Sequence, residues 1–351
     1  MKGSLPLVIA VMGSKEVYDY DASFLNGVKM AIEEVNREYE SLGMEASFAL
    51  YDDEYDYEQG LLLSNRLAAD PDVTAVLGSH SFAILEAGAP VMEEYGKIMI
   101  AANGMMDSSI IGRKYTMIFR NTFGEADMGA ALAGYGARQG ITRIAVNHSD
   151  TEFERNLAAA FALEGQRLGL RVLDMTTRFG SEQDFHQLTD RWSALGIQGV
   201  VITRDAIADA FAIAGYVRRG MPEAKVYGDY SFDASDMLAE HAAISDNIVL
   251  PALVPVRRTE RLEQFERSYE EIYGSKPTWW AAHGYDSVRL VADAAAQGGT
   301  NDPRRLAQLL HEQTEYHGVT GTIAFDSDGV LTGREPAYFA VRNGKLTDGG
   351  E

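Results

Sequence analysis

The sequence predicts an α/β fold made of two similar lobes, each a parallel sheet flanked by helices. Three observations point there. Short apolar runs alternate with segments of helical periodicity along most of the 351 residues. Residues 75–103 read as a buried strand, a glycine turn, a polar loop, an amphipathic helix and a second buried strand. The same strand–helix–strand unit recurs about 125 residues later, at residues 199–230. Strands joined through helices of this length pair in parallel, because a parallel pair needs a long crossover. The duplication implies two lobes facing one another across a cleft. Ligands of open parallel sheets sit beyond the carboxyl ends of the strands. That singles out the small polar loop Gly78-Ser79-His80-Ser81.

Each element of the first lobe has a local reason. Residues 7–11 are apolar and extended. Residues 24–39 form a helix, with Phe24, Val28, Ala31, Ile32 and Val35 on one face. Residues 46–51 are a strand that ends in the acidic loop Asp52-Asp53-Glu54. A helix over 57–69 is closed by Asp70-Pro71, since the residue before proline disfavours helical backbone. The strand 75–77, the helix 84–95 and the strand 97–102 follow, then a loop with Asp107-Ser108-Ser109 and a short extended piece at 117–120.

The second lobe repeats the pattern. Residues 143–147 are a strand and 152–168 a helix that stops at Gly169. A strand over 171–176 precedes a helix over 183–195, capped by Gly196. Then come a strand at 199–203, a helix at 206–219, a strand at 225–228 and an extended passage at 248–254. Residues 261–273 and 281–296 are long helices, and Asp302-Pro303 starts another that runs to 313. Residues 321–325 and 337–341 are expected to pair around the turn Asp326-Ser327-Asp328-Gly329. No low-complexity linker divides the chain, so it is expected to cross between lobes more than once through short ordered segments.

Composition narrows the function. The net charge is −21 and there is no lysine–arginine cluster to offset it, which argues against nucleic-acid binding. With no cysteine, disulfides, thiol catalysis and thiolate metal sites are excluded. No apolar run approaches the roughly 18 residues of a membrane span. Met1-Lys2-Gly3-Ser4 leads straight into the first strand, which is read as an export signal missing from this N-terminus. Enzyme motifs are missing too. The 78–82 loop lacks the G-x-S-x-G pattern of a nucleophile elbow. No G-x-G-x-x-G follows the first strand, and there is no P-loop and no H-E-x-x-H. The acidic loop at 52–56 reads as solvated, and Asp326-Ser327-Asp328-Gly329 misplaces the glycine of a calcium loop. No catalysis, cofactor or metal is expected.

Several stretches, taken together, resemble the type I periplasmic solute-binding proteins, in particular the branched-chain amino-acid (leucine/isoleucine/valine) group. They are Phe24-Leu25-Asn26-Gly27-Val28 with its helix, Tyr51-Asp52-Asp53-Glu54, Val76-Leu77-Gly78-Ser79 and residues 115–120. Tyr285-Asp286-Ser287-Val288 and Gly318-Val319-Thr320-Gly321 running into Phe325 complete the series. The resemblance implies two Rossmann-like lobes and a three-strand hinge, with crossovers near 119–123, 248–254 and 325–331. It implies a first lobe of 1–120 plus 251–326 and a second of 121–250 plus 327–351. It also implies hinge closure on a small organic ligand, delivery to the membrane permease of an ABC importer, a monomer, and a periplasmic or other extracytoplasmic location. A ligand-sensing receptor ectodomain is the alternative use of the same lobes.

Candidate site residues come from both sources. The resemblance puts the first-lobe ligand positions at Phe82 and Met105, with Ser81, Asn103 and Gly104 as neighbours. It puts an aromatic wall at Phe153, an acidic position at Asp229 or Tyr230, and a late-helix aromatic at Trp280. The residues themselves add Tyr18 and Tyr20 in the loop after the first strand, and His80 as a hydrogen-bonding group. Arg204 follows a strand directly, where a guanidinium clamps a carboxylate with two bonds, and Asp205 beside it offers a local ion pair instead. Core packing is the competing reading for each aromatic. Arg120 is read as structural, at the hinge. The ligand expected is a carboxylate-bearing compound, aromatic or not, or an amino acid.

Overall fold

The structure, a computed structural model, describes residues 4–78, 80–102, 106–255 and 258–349. The expected ligand residues Asn103, Gly104 and Met105, and Ser79 of the polar loop, lie outside the described residues. The chain divides into two compact units. One is Met1–Phe123 with Arg258–Glu335, and the other is Gly124–Arg257 with Pro336–Glu351. Among the described residues no helix is long and apolar enough to cross a membrane.

In chain order the strands are β1 (Leu5–Gly13), β2 (Met44–Asp52), β3 (Ala75–Gly78), β4 (Ile98–Ile100) and β5 (Ile118–Phe119) in unit 1. Unit 2 contributes β6 (Arg143–His148), β7 (Arg171–Thr176), β8 (Gly199–Thr203), β9 (Lys225–Gly228) and β10 (Ile248–Ala252). Unit 1 resumes with β11 (Tyr316–Gly318), β12 (Gly321–Phe325) and β13 (Leu331–Thr332), and unit 2 ends with β14 (Ala337–Arg342) and β15 (Lys345–Asp348).

The main sheet of unit 1 has the order β2-β1-β3-β4-β5, all parallel. Strands inside such a sheet are covered on both faces and read as continuous apolar runs. Accordingly β3 and β4 are wholly buried, while edge strand β2 alternates. The Ser23–Glu38 helix buries the expected Phe24, Val28, Ala31, Ile32 and Val35. It packs on the Trp279–Gly298 helix closely enough that a Cβ on Gly27 would lie 2.0 Å from the Ala281 carbonyl oxygen. The acidic loop is used up locally. Asp52 accepts from the Lys15 and Glu54 amides, Asp53 from the Tyr55 amide, and Asp56 caps the Tyr57–Ala69 helix.

Unit 2 has the order β15-β14-β10-β9-β8-β6-β7. Its parallel part, β7-β6-β8-β9-β10, has the order of the unit 1 sheet, so the recurring strand–helix–strand segments occupy equivalent places. Trp192, Phe185, Val200, Ile202, Phe211 and Val226 fill its core.

Two expectations need correction. Residues 321–325 and 337–341 do not pair: β12 pairs with β11 and β13, whereas β14 pairs with β10 and β15. The turn at 326–329 closes on Val330, with the Asp326 amide donating to the Val330 carbonyl, so the hairpin is completed by the short β13. The loop holding Tyr18 and Tyr20 is a helix, Lys15–Tyr20, too short to show a period. The Glu125–Arg138 helix has no counterpart in the sequence reading; Gly129 lets it approach the Glu152–Arg167 helix.

Candidate ligand-binding faces

In a sheet of order 2-1-3-4-5 the crevice for ligand opens at the carboxyl ends of the two strands where winding reverses. In unit 1 these are β1 and β3. β1 ends at Gly13, and Ser14 leads into the Lys15–Tyr20 helix, which lays Tyr18 back over the strand end. Tyr18 is 2% exposed and Tyr20 94%, so of the two it is Tyr18 that packs over the strand end. β3 ends at Gly78, whose φ of +107° suits glycine, and Ser81 caps the next helix by accepting from the Ile84 amide at 3.4 Å. Phe82 opens that helix and is half-buried.

A ring stack runs across this face. Tyr18 meets His80 edge-on at 4.4 Å between centroids, and His80 meets Trp280 at 5.0 Å. Gly13 leaves the room: a Cβ there would lie 2.9 Å from the Tyr18 ring and 3.0 Å from His80 Nδ1. Among the described residues, the Tyr18 hydroxyl, both His80 ring nitrogens and Trp280 Nε1 are buried without a hydrogen-bond partner. Buried polar atoms of native proteins are nearly always paired, so four orphans in contact mark a place where a ligand or water completes the set. Burial pushes His80 down to about 4, against the pull of Asp21. At neutral pH its ring therefore offers one donor and one acceptor.

In unit 2 the winding reverses between β6 and β8. The Ser149 amide donates to the Thr203 carbonyl at 3.0 Å and ties the two strand ends together. Arg204 makes hydrogen bonds within unit 2. Its Nε donates to Asn147 Oδ1 at 2.9 Å, and its Nη2 to the Thr177 and Arg178 carbonyls at 3.2 and 3.1 Å. It also lies over the Phe179 ring. The sequence expectation of a carboxylate clamp here meets a guanidinium already engaged in holding the 177–178 loop. Asp205 accepts from the Ser149 hydroxyl rather than pairing with Arg204.

Beside these strand ends lies an aromatic and acidic patch. Phe153 and Tyr230 meet edge-to-face at 5.6 Å. Asp229 is fully buried, accepts from the Thr203 hydroxyl and from the Ser231 amide, and burial raises its carboxyl. Glu154, 2% exposed, is the residue that sequence reading missed. Burial pushes its carboxyl up to about 7, with Asp229 and Asp205 adding repulsion and Arg204 opposing them. Its only sequence signal is its place next to Phe153. An acid in a first helical turn otherwise reads as solvated and dipole-stabilised.

The two faces thus differ chemically. Unit 1 offers rings with unpaired, mostly donor, polar atoms. Unit 2 offers rings with two buried carboxyls, which suit a cation: ammonium groups bind by opposite charge and by aromatic faces.

Comparison with known proteins gives the same direction. The family described as "Periplasmic binding protein" matches residues 9–345. The chain is 25% identical over 344 residues to a Leu/Ile/Val-binding protein homolog 1 of Brucella abortus, covering 97% of this chain and 90% of that one. It is 23% identical over 311 residues to a leucine-, isoleucine-, valine-, threonine-, and alanine-binding protein of Pseudomonas aeruginosa, covering 87% and 81%. Among solved structures, an ABC transporter substrate-binding protein of Desulfitobacterium hafniense in complex with Leu superposes with a TM-score of 0.87 at 25% identity, covering 97% of this chain and 99% of that one.

Proposed function

The chain belongs to the periplasmic binding protein family, a solute-binding rather than catalytic class that serves ABC importers, and from that premise we propose that its ligand is a small α-amino acid. The observation that carries this is the pair of buried carboxyls, Glu154 and Asp229, beside the Phe153–Tyr230 rings. Two acids placed so are costly unless protonated or matched by a cation. An amino acid supplies the ammonium for unit 2 and a carboxylate for the donors of unit 1. The names of the relatives agree with an amino-acid ligand. An aromatic carboxylate without an amine would leave the acids unmatched, and its expected clamp, Arg204, is engaged elsewhere.

Capture works by closure in this reading. Units 1 and 2 act as the two lobes, and the ligand favours a closed form because it touches both in that form and one in the open form. The closed, loaded protein hands its ligand to the permease of an importer outside the cytoplasm, and acts as a monomer. Native mass spectrometry of freshly purified protein tests the ligand class, with a thermal-shift screen beside it, since a ligand bound only by the native state raises the midpoint. An amino-acid adduct is expected. A retained ligand that lacks an amine would contradict the reading.

A further inference from the structure

Arg334 is a buried charge of unit 1 that the fold does not explain. All three of its guanidinium nitrogens are buried, and among the described residues none has a hydrogen-bond partner. It stacks over the Phe123 ring, 5.3 Å from the centroid. The charge that acts on it is Asp286, but Asp286 is spent: it accepts from the Val319 amide at 2.9 Å, the Thr320 amide at 2.8 Å and the Thr320 hydroxyl at 2.6 Å. His283 on the same helix has its Nδ1 on the Trp279 carbonyl at 2.9 Å and its Nε2 bare. Burial, and then the charge of Arg334, push His283 down to about 3, so it brings no second cation. Trp280 and His283 are three residues apart on the Trp279–Gly298 helix and so share a face. The helix therefore carries Trp280 of the ring stack and, one turn on, His283, on which the charge of Arg334 acts.

A buried guanidinium with five N–H donors and no acceptor is costly to desolvate, and its planar fork fits a carboxylate with two parallel bonds. Arg204, the arginine singled out by sequence, has acceptors; Arg334 has none. We propose that Arg334 receives the carboxylate of the ligand, which makes it the specificity-determining residue for acid over neutral analogue. This rests on the amino-acid reading above and deepens it by naming the group that meets the anionic end.

The test is calorimetric titration of the full chain, wild type and Arg334→Gln, with L-leucine against L-leucinamide and benzoate against benzamide. It is joined by melting of both ligand-free proteins. Wild-type protein is expected to prefer an acid over its amide by tenfold or more. Arg334→Gln should lose tenfold or more for that acid and none for the amide. Ligand-free Arg334→Gln should melt no lower than wild type, because a cation awaiting its anion is not missed in the empty protein. Equal binding of the acid by both proteins overturns the assignment of Arg334 alone. So does a ligand-free variant that melts far below wild type, which would make Arg334 structural. Wild-type protein that takes benzoate but not L-leucine overturns the amino-acid reading and leaves Arg334 as the anion site, so the two failures are told apart.

Discussion

Glu154 sits in the first turn of the Glu152–Arg167 helix, buried, with Asp229 and Asp205 as repelling neighbours and a carboxyl pushed up to about 7. Because this pKa is raised on folding, the folded chain binds the proton more tightly than the unfolded one. The stabilising contribution is complete below about 4.5 and is lost as pH rises towards 7. An arriving ammonium reverses the preference and favours the carboxylate. Amino-acid binding near pH 6.5 should therefore release a proton, and affinity should rise with pH up to about 7. Calorimetry in two buffers of different ionisation enthalpy reads this directly, and Glu154→Gln should abolish it. Truncating Phe153 to Ala should weaken binding by about 2 kcal/mol, as for other buried aromatic anchors. Arg204→Ala belongs to a different class. It strands Asn147 Oδ1 and the Thr177 carbonyl, while the Arg178 carbonyl keeps its bond from Asn147 Nδ2, so unit 2 should lose about 1–3 kcal/mol of stability before any effect on ligand is counted. Chemical denaturation separates the two. The sequence could not separate them, because an arginine after a buried strand looks the same whether its partners are a ligand or a loop 26 residues away.

The elements were largely legible, since each is written in local pattern. β8, five apolar or small residues between a glutamine and an arginine, falls at 199–203 in sequence and structure alike. The Tyr57–Ala69 helix starts at its Asp56 cap and stops before proline. Pairing was less legible. Nothing within 321–341 tells that β12 turns to β13 while β14 crosses to β10, because the deciding partner lies some 85 residues upstream. Close packing is legible only as an unexplained glycine. Gly27 is in mid-helix, where alanine would ordinarily stabilise by about 0.5–1 kcal/mol. Here a Cβ meets the Ala281 carbonyl at 2.0 Å. Gly27→Ala should instead destabilise unit 1, by about 1–3 kcal/mol as for other overpacked contacts, and scanning calorimetry gives the sign.

At the scale of the molecule the same parallel strand order occurs twice, and around that shared frame the copies have diverged in charge as well as in added strands. Unit 1 keeps neutral rings, bare donors and Arg334. Unit 2 keeps Phe153, Tyr230 and two buried acids. Under the proposed function, the donors of unit 1 would meet the carboxylate of an amino acid and the acids of unit 2 its ammonium, and closure would follow from that. Much of this was out of reach of sequence reading. The duplicated fold is visible, and so are Tyr18, His80, Phe153, Asp229, Tyr230 and Trp280 as candidates, from their places after strands or at helix starts. Glu154 and Arg334 are not, because burial alone distinguishes them from the many exposed charges of a chain with net charge −21. Small-angle X-ray scattering of the full chain, with and without the amino acid that raises its melting point most, tests closure most directly. A smaller radius of gyration at saturation is the predicted result. An unchanged profile, at a concentration where calorimetry reports full occupancy, would contradict a ligand that draws the two units together.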